Sequence, residues 1–272
     1  MRNAIQQYSA FLLAGTILAS AALPQSSISA NSLEQIQAQA TLEKKTSTVP
    51  ASVVRRVKRE IARTFKIPVS QLQMTDAQPR IWNGCRGLPA PNAFCTTIAI
   101  PGWQVIVTGQ QYTWVYHTNQ NGSELRLNQA ASLTNQPTRV QVGFMDQPIP
   151  NLNKSVVFQS MTQGGIANRT IITKLTAEGM ITRQTIAPNI RSTPIIIKRL
   201  TREQVNTFLE QVRQQRFDHL SGLRYFSDRG ADFDVTQFST RGTTVESANP
   251  LQEELPAGLQ AVIELWQKLL QA

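Results

Sequence analysis

Trp82-Asn-Gly-Cys-Arg-Gly-Leu-Pro-Ala-Pro-Asn-Ala-Phe-Cys-Thr-Thr-Ile-Ala-Ile-Pro-Gly-Trp103 is the stretch on which the reading of this chain turns. It holds Cys85 and Cys95, the chain's two cysteines, and two of its four tryptophans. Its prolines and glycines mark it as a turn-rich loop between extended segments. What the cysteines do there depends on the compartment, and the N-terminus speaks to that.

Arg2 precedes an apolar run, Ala10 to Leu23, which Pro24 breaks. Ile28-Ser29-Ala30 then offers a small residue for cleavage. This pattern predicts a cleaved signal peptide over 1–30. The run is shorter than the roughly 20 residues that span a bilayer, so an uncleaved anchor is the weaker alternative. No cysteine lies at the cleavage site, which argues against a lipoprotein. The protein is expected to be exported, to a periplasm, the cell exterior or another oxidising lumen, with no transmembrane segment in the mature chain. In such a compartment Cys85 and Cys95 form a disulfide most simply. Closing so short a loop is worth about 3 kcal/mol in the chain-entropy account. The spacing is no metal pattern, and His117 and His219 are the only histidines, so a zinc site would lack ligands. No metal and no cofactor is expected.

The 272 residues allow one large domain or two small ones, and 41% hydrophobic content is enough for ordinary cores. The net charge of +10 is uneven. Residues 1–150 carry 13 Lys/Arg and 6 Asp/Glu, and residues 151–272 carry 14 and 11. A basic exported protein suits an anionic lipid, an acidic glycan or an acidic protein better than nucleic acid.

Upstream of the loop, residues 31–48 are polar and without period, a flexible segment. A helix is expected from about Pro50, with Val54, Val57, Ile61 and Phe65 as its apolar stripe. Arg55, Arg59 and Arg63 lie opposite, joined by Arg56, Lys58 and Lys66, with Glu60 the one acid among them. Two explanations fit: a solvated face whose Arg stems cover apolar surface, or a basic patch for an anionic partner. Pro68 ends the helix. Gln71–Trp82 reads as an extended segment interrupted by Pro79.

Downstream of the loop, Thr97–Ile100 is extended and Pro101-Gly102 reads as a turn. Trp103, Val105 and Val107 alternate onto one face. Tyr112–Thr118 is a second alternating strand that places His117 on the polar face. Asn121-Gly122 signals a hairpin that Leu125-Arg126-Leu127 closes. Residues 49–128 therefore predict a small α+β domain, one sheet face covered by the helix. The V-x-V, W-V-Y and N-G-x-x-L-R-L elements of Val105–Leu127 resemble the sheet of PepSY-type domains. Those are small modules of exported bacterial proteins and protease propeptides.

Residues 129–153 are rich in Asn, Gln and Pro and are expected to be a linker, with Val140, Val142 and Phe144 a short strand or an anchored piece. A second α+β domain is expected over 154–272. Strands at Ser155–Ser160, Arg169–Leu175 and from Met180 come first. Gly164-Gly165 between the first two lacks the flanks of a phosphate loop and reads as a glycine turn or bulge. Pro188–Pro194 is irregular, and Ile195–Ile197 leads to a helix. Thr201 and Gln204 form a capping box, with Val205, Phe208, Leu209 and Val212 on the buried face. Asp232 and Asp234 would share a strand face, but no other group converges on them, so a solvated turn or strand edge is expected. A hairpin at Arg241-Gly242 precedes a terminal helix with Leu259, Val262, Ile263, Trp266, Leu269 and Leu270 inward.

The initial V-V-F-x-S with its Gly-Gly turn, the L-T-x-E-Q helix start and the P-A-x-L-x-x-V terminal helix resemble the emfourin family. Its members inhibit thermolysin-like metalloproteases. The extra residues around Pro188–Ile197 and the whole N-terminal part depart from that pattern. If the resemblance carries function, the contact would be Thr162, Gln163, Gly164, Gly165, Ile166, Asn168 and Arg169, an exposed turn able to enter a protease cleft.

No G-x-S-x-G, no H-E-x-x-H and no free thiol beside a histidine occurs. The chain is thus expected to be a non-enzymatic exported binding protein, an inhibitor or regulator of an exported metalloprotease. The alternative is an envelope protein that binds an anionic surface through its basic helix. Arg86, Leu88 and Phe94 are expected at the tip of the disulfide loop as partner contacts.

Overall fold

The computed structural model describes residues 48–90, 93–135, 137–146, 150–164, 168–227 and 234–271. The expected signal peptide, and the segment 31–48 up to residue 47, lie outside the described residues.

Helix α1 (Ala51–Phe65) buries Val53, Val57 and Ile61, a stripe at four-residue spacing. Val53 takes the place expected for Val54, which is half-buried beside it, and Phe65 continues the stripe half-buried. Lys66 takes the left-handed conformation and stops the helix before Pro68. The helix covers an antiparallel sheet of β1 (Gln73–Trp82), β2 (Ile100–Gly109), β3 (Tyr112–Asn119) and β4 (Leu125–Leu127), in that order.

Two prolines expected to interrupt extended structure lie within strands. Pro79 sits in β1, an edge strand paired only with β2, where a missing N–H can face outward. Pro101, expected in a turn, lies in β2 just before its first pair with β3, Gly102–Asn119. Gly102 is held there by crowding. A Cβ on it would lie 2.6 Å from the Trp82 indole nitrogen.

Both faces of this sheet are covered. Trp103, Val105, Val107, Trp114 and Tyr116 pack under α1. The alternate residues Ile106 and Val115 enter a larger core shared with the rest of the chain. The face expected to meet water is therefore interior, and Gln104 and His117 are buried on it.

The second sheet holds β5 (Gln141–Phe144), β6 (Val156–Gly164), β7 (Arg169–Thr176), β8 (Met180–Ala187), β9 (Ile190–Arg191), β10 (Ile195–Arg199), β11 (Leu223–Phe226), β12 (Val235–Thr240) and β13 (Thr243–Ala248). The order is β10-β8-β7-β6-β12-β13-β11-β5, with β9 paired to β8. It is mixed rather than purely antiparallel, because β11 runs parallel to β13. The stretch 129–153, expected as a linker, supplies β5 and the core residues Ala131, Leu133, Val140 and Val142.

Helix α2 (Arg202–Gln214) opens with the expected capping box. The Gln204 amide donates to Thr201 Oγ1 at 3.2 Å, and the Thr201 amide donates to Gln204 Oε1 at 2.8 Å. Its Val205, Phe208 and Val212 and the Leu259, Val262, Ile263 and Trp266 of α3 (Ala257–Gln271) cover the second sheet. The centre is aromatic: the Phe158 ring lies 5.1 Å from Phe208 and 4.9 Å from Trp266. The whole is an α+β fold dominated by its two sheets.

Candidate functional site

The disulfide loop forms as expected. Cys85 and Cys95 are bonded, with Cα atoms 5.4 Å apart. Asn83 shapes the entry: its side-chain oxygen accepts from the amides of Cys85 at 3.1 Å and Gly87 at 3.0 Å. Arg86 and Gly87 both have positive φ, which turns the chain back over Trp82. A Cβ on Gly87 would meet the Trp82 ring at 2.8 Å.

The turn has a consequence for the expected contact residues. Arg86 points inward, only 7% exposed, and pairs with the Glu124 carboxylate. It is a strut of the loop and not a residue of its tip. Leu88 is half-buried. Phe94 is fully exposed, and Ile81 before the loop and Ile98 after it are exposed too.

Behind the loop is a buried polar network that sequence reasoning did not anticipate. His117 donates from Nδ1 to the Arg86 carbonyl at 2.8 Å. Its Nε2 then accepts from the Gln104 amide at 3.2 Å and the Asn128 amide at 3.3 Å. Gln104 Oε1 accepts in turn from Arg80 Nε at 3.1 Å. Burial pushes the His117 pKa down to about 4; the Arg86 carbonyl opposes this, and Arg80 reinforces it. The imidazole is neutral, its tautomer fixed and its lone pair occupied. Both ring nitrogens are engaged within the protein.

The network also ties the loop to the second half of the chain. Asn128 Nδ2 donates to the His219 carbonyl at 2.7 Å. Arg80 Nη2 donates to the Ser221 carbonyl at 3.3 Å, and Arg216 Nη1 to the Pro89 carbonyl at 2.9 Å. Burial lowers the His219 pKa, against the raising effect of Asp218. The one signal for all this lay in the strand register. Gln104 and His117 are cross-strand neighbours on the face opposite Val105 and Tyr116.

The basic face of α1 is where the sequence places it. Arg55, Arg56, Arg59, Arg63 and Lys66 are exposed and Lys58 is half-buried. Arg63 pairs with Glu60, which lowers the Glu60 pKa through that hydrogen bond. Arg59 Nε bonds the Arg55 carbonyl at 3.3 Å. Among the described residues, Arg55, Arg56, Lys58, Arg59 and Lys66 have no carboxylate partner. The β3–β4 turn joins this helix to the loop: Gly122 packs against Val53 and Arg56, while Glu124 holds Arg86.

The β6–β7 hairpin lies on the other sheet. Its pairing runs out to Gly164 opposite Arg169. Gln163, Asn168 and Arg169 are exposed, and Thr162 and Gly164 are half-buried. Gly165 and Ile166 lie outside the described residues, as do Asp228 and Asp232; Asp234 is exposed. Among the described residues, no three His, Cys, Asp or Glu side chains converge as a metal site.

Residues 54–127 match a domain of unknown function, DUF8738. The matched segment starts inside α1 and ends with β4, so it contains the first sheet, the disulfide loop and all of the basic face. No curated protein and no solved structure matches the chain.

Proposed function

We propose that the protein is an exported binding protein, without catalytic chemistry of its own, that docks on an anionic surface of the cell envelope through α1. The observation that carries this is a set of four cations on α1, Arg55, Arg56, Lys58 and Arg59, with Lys66 just past its end, none with a carboxylate partner among the described residues. Their apolar counterparts Val53, Val57 and Ile61 are fully buried, so the charges sit on a rigid mount facing out. An array of that kind attracts anionic lipid or acidic glycan in a salt-dependent way. The leader-like residues 1–30 and the Cys85–Cys95 disulfide support export. Among the described residues no helix is long and apolar enough to cross a membrane. In this reading residues 54–127 present the basic face, while the inner face of their sheet shares a core with the rest of the chain.

The test is co-sedimentation of the mature chain with vesicles containing an anionic lipid. Binding should weaken steeply as salt rises and fall at least about tenfold when Arg55, Arg56 and Arg59 become Ala together, since each surface cation is worth about 1 kcal/mol. Binding that ignores both changes overturns the proposal.

A second reading follows from the emfourin-like second module: inhibition of an exported metalloprotease by the β6–β7 hairpin. The exposed Gln163, Asn168 and Arg169 at the end of long paired strands favour it. It is tested by assaying thermolysin-like enzymes with the purified chain. Unchanged protease activity at saturating chain removes it.

A further inference from the structure

The face of the second sheet beneath α2 and α3 changes character along its strands. Phe158, Leu175 and Ile181 pair side by side and are fully buried. Two residues along each strand, the row reads Arg183, Thr173, Ser160, Phe238. Two residues further it reads Thr185, Ile171, Thr162, Thr236, Ser247. Residues at i and i+2 share a face, so hydrocarbon gives way to hydroxyl toward the hairpin end.

Over the hydroxyl rows α3 does not close down on the sheet. It leaves a cleft of about 500 Å³. From β8 to β13 is four strand spacings, roughly 19 Å at about 4.8 Å each. One wall is apolar, from Ile263, Trp266 and Leu270. The floor is polar. Trp266 Nε1 donates to Ser160 Oγ at 3.0 Å, and the Thr162 and Thr236 hydroxyls bond each other at 2.9 Å. Thr173 and Ser247 are 3% and 2% exposed and line the cleft. Neither hydroxyl is among the buried atoms left without a partner, and both residues open onto the cleft. A dry sheet–helix contact would use Val or Leu here, because a hydroxyl sealed without a partner is costly; these hydroxyls are paired or open to the cleft. At the β8 side Arg183 is exposed and has no carboxylate partner among the described residues.

We infer that this cleft binds a small hydroxylated carboxylate of the uronic-acid class. Side-chain hydroxyls donate and accept, as sugar hydroxyls do. The apolar wall fits the C–H face of a sugar ring. The planar fork of Arg183 takes a carboxylate through two parallel bonds. The site is separate from the α1 face and stands or falls without it.

The test is titration of the purified chain with D-glucuronate, glucose and acetate, read by calorimetry and by the Trp266 indole N–H signal in NMR. Glucuronate moves that signal and binds at least about tenfold tighter than either glucose or acetate, as expected when ring and charge are both recognised. Arg183→Ala brings glucuronate down to the level of glucose while vesicle binding stays unchanged. Thr173→Val weakens glucuronate and glucose alike, at an unchanged unfolding midpoint. A Trp266 signal indifferent to millimolar glucuronate, acetate equal to glucuronate, or an Arg183→Ala chain that binds as before overturns the inference.

Discussion

Trp82 lies flat against His117, their ring centroids 4.1 Å apart and their planes 13° from parallel. The same indole donates from Nε1 to the Thr118 carbonyl at 2.9 Å. The residue that begins the disulfide loop is thus keyed into β3 twice, and the histidine beneath it is sealed from water.

Stability should depend on pH through His117. Its pKa is about 4 in the folded chain and about 6.5 when unfolded. Between these values the unfolded chain binds the extra proton. The contribution is therefore full above about pH 6.5, shrinks as pH falls, and is gone below about pH 4, a loss of about 3 kcal/mol. Urea midpoints measured across that window give the slope. His117→Gln should flatten it, and a wild-type slope of zero would show that His117 is not sealed.

Gly102→Ala should be among the most damaging single changes. The added Cβ would lie 1.9 Å from the Thr118 carbonyl and 2.6 Å from the Trp82 indole nitrogen. Both neighbours are fixed, so the strand or the Trp82 ring has to move, at about 3 kcal/mol or more. Calorimetric melting compared with Gly242→Ala separates this crowding from glycine effects in general. A Cβ at Gly242 meets nothing within 4 Å, and only its positive φ resists substitution.

Replacing Cys85 and Cys95 together by Ser should cost about 2–3 kcal/mol. The loop keeps other anchors, including Gly84 N to Thr96 O at 3.0 Å and the Arg216–Pro89 bond. The expected result is a folded chain with a lower midpoint and normal near-ultraviolet dichroism from Trp82. Loss of that signal would mean the disulfide alone holds the indole in place.

Asn128→Ala removes one donor from His117 and the donor to the His219 carbonyl, leaving buried acceptors unpaired. A loss of about 1–3 kcal/mol is expected. Asn121→Ala, on the exposed hairpin turn, should cost under about 0.5 kcal/mol by comparison.

Arg55, Arg56 and Arg59 changed together to Ala should leave the unfolding midpoint almost unmoved, within about 0.5 kcal/mol. These side chains have no carboxylate partner among the described residues. A large loss would recast the face as a structural feature of α1.

Local signals were strongest where one short segment decides its own structure. The Thr201–Gln204 box, the terminal helix stripe and the Asn121-Gly122 turn all stand as the sequence suggests. The misreadings have a common physical origin, since each required knowing what lies on the far side of a sheet. Alternation along β2 and β3 separates two faces but does not say that both are covered. His117 therefore reads from sequence as lying on the polar face. Arg86 looked like a tip residue because nothing local reveals that Glu124 waits beneath it. Pro79 and Pro101 suggested breaks because edge position and strand end are properties of the sheet, not of the dipeptide. The hydroxyl floor under α3 was spread over five strands, and only their register gathers it.

The β5–β11 pairing has one more consequence. Leu223 opposes Phe144, and Tyr225 opposes Val142 while its hydroxyl bonds the Ala131 carbonyl at 3.0 Å. A protease cut between Met145 and Ser155 would not set the two halves adrift. The upstream piece would stay behind as a donated strand, and the nicked chain should still migrate as one particle until a denaturant pulls that strand away.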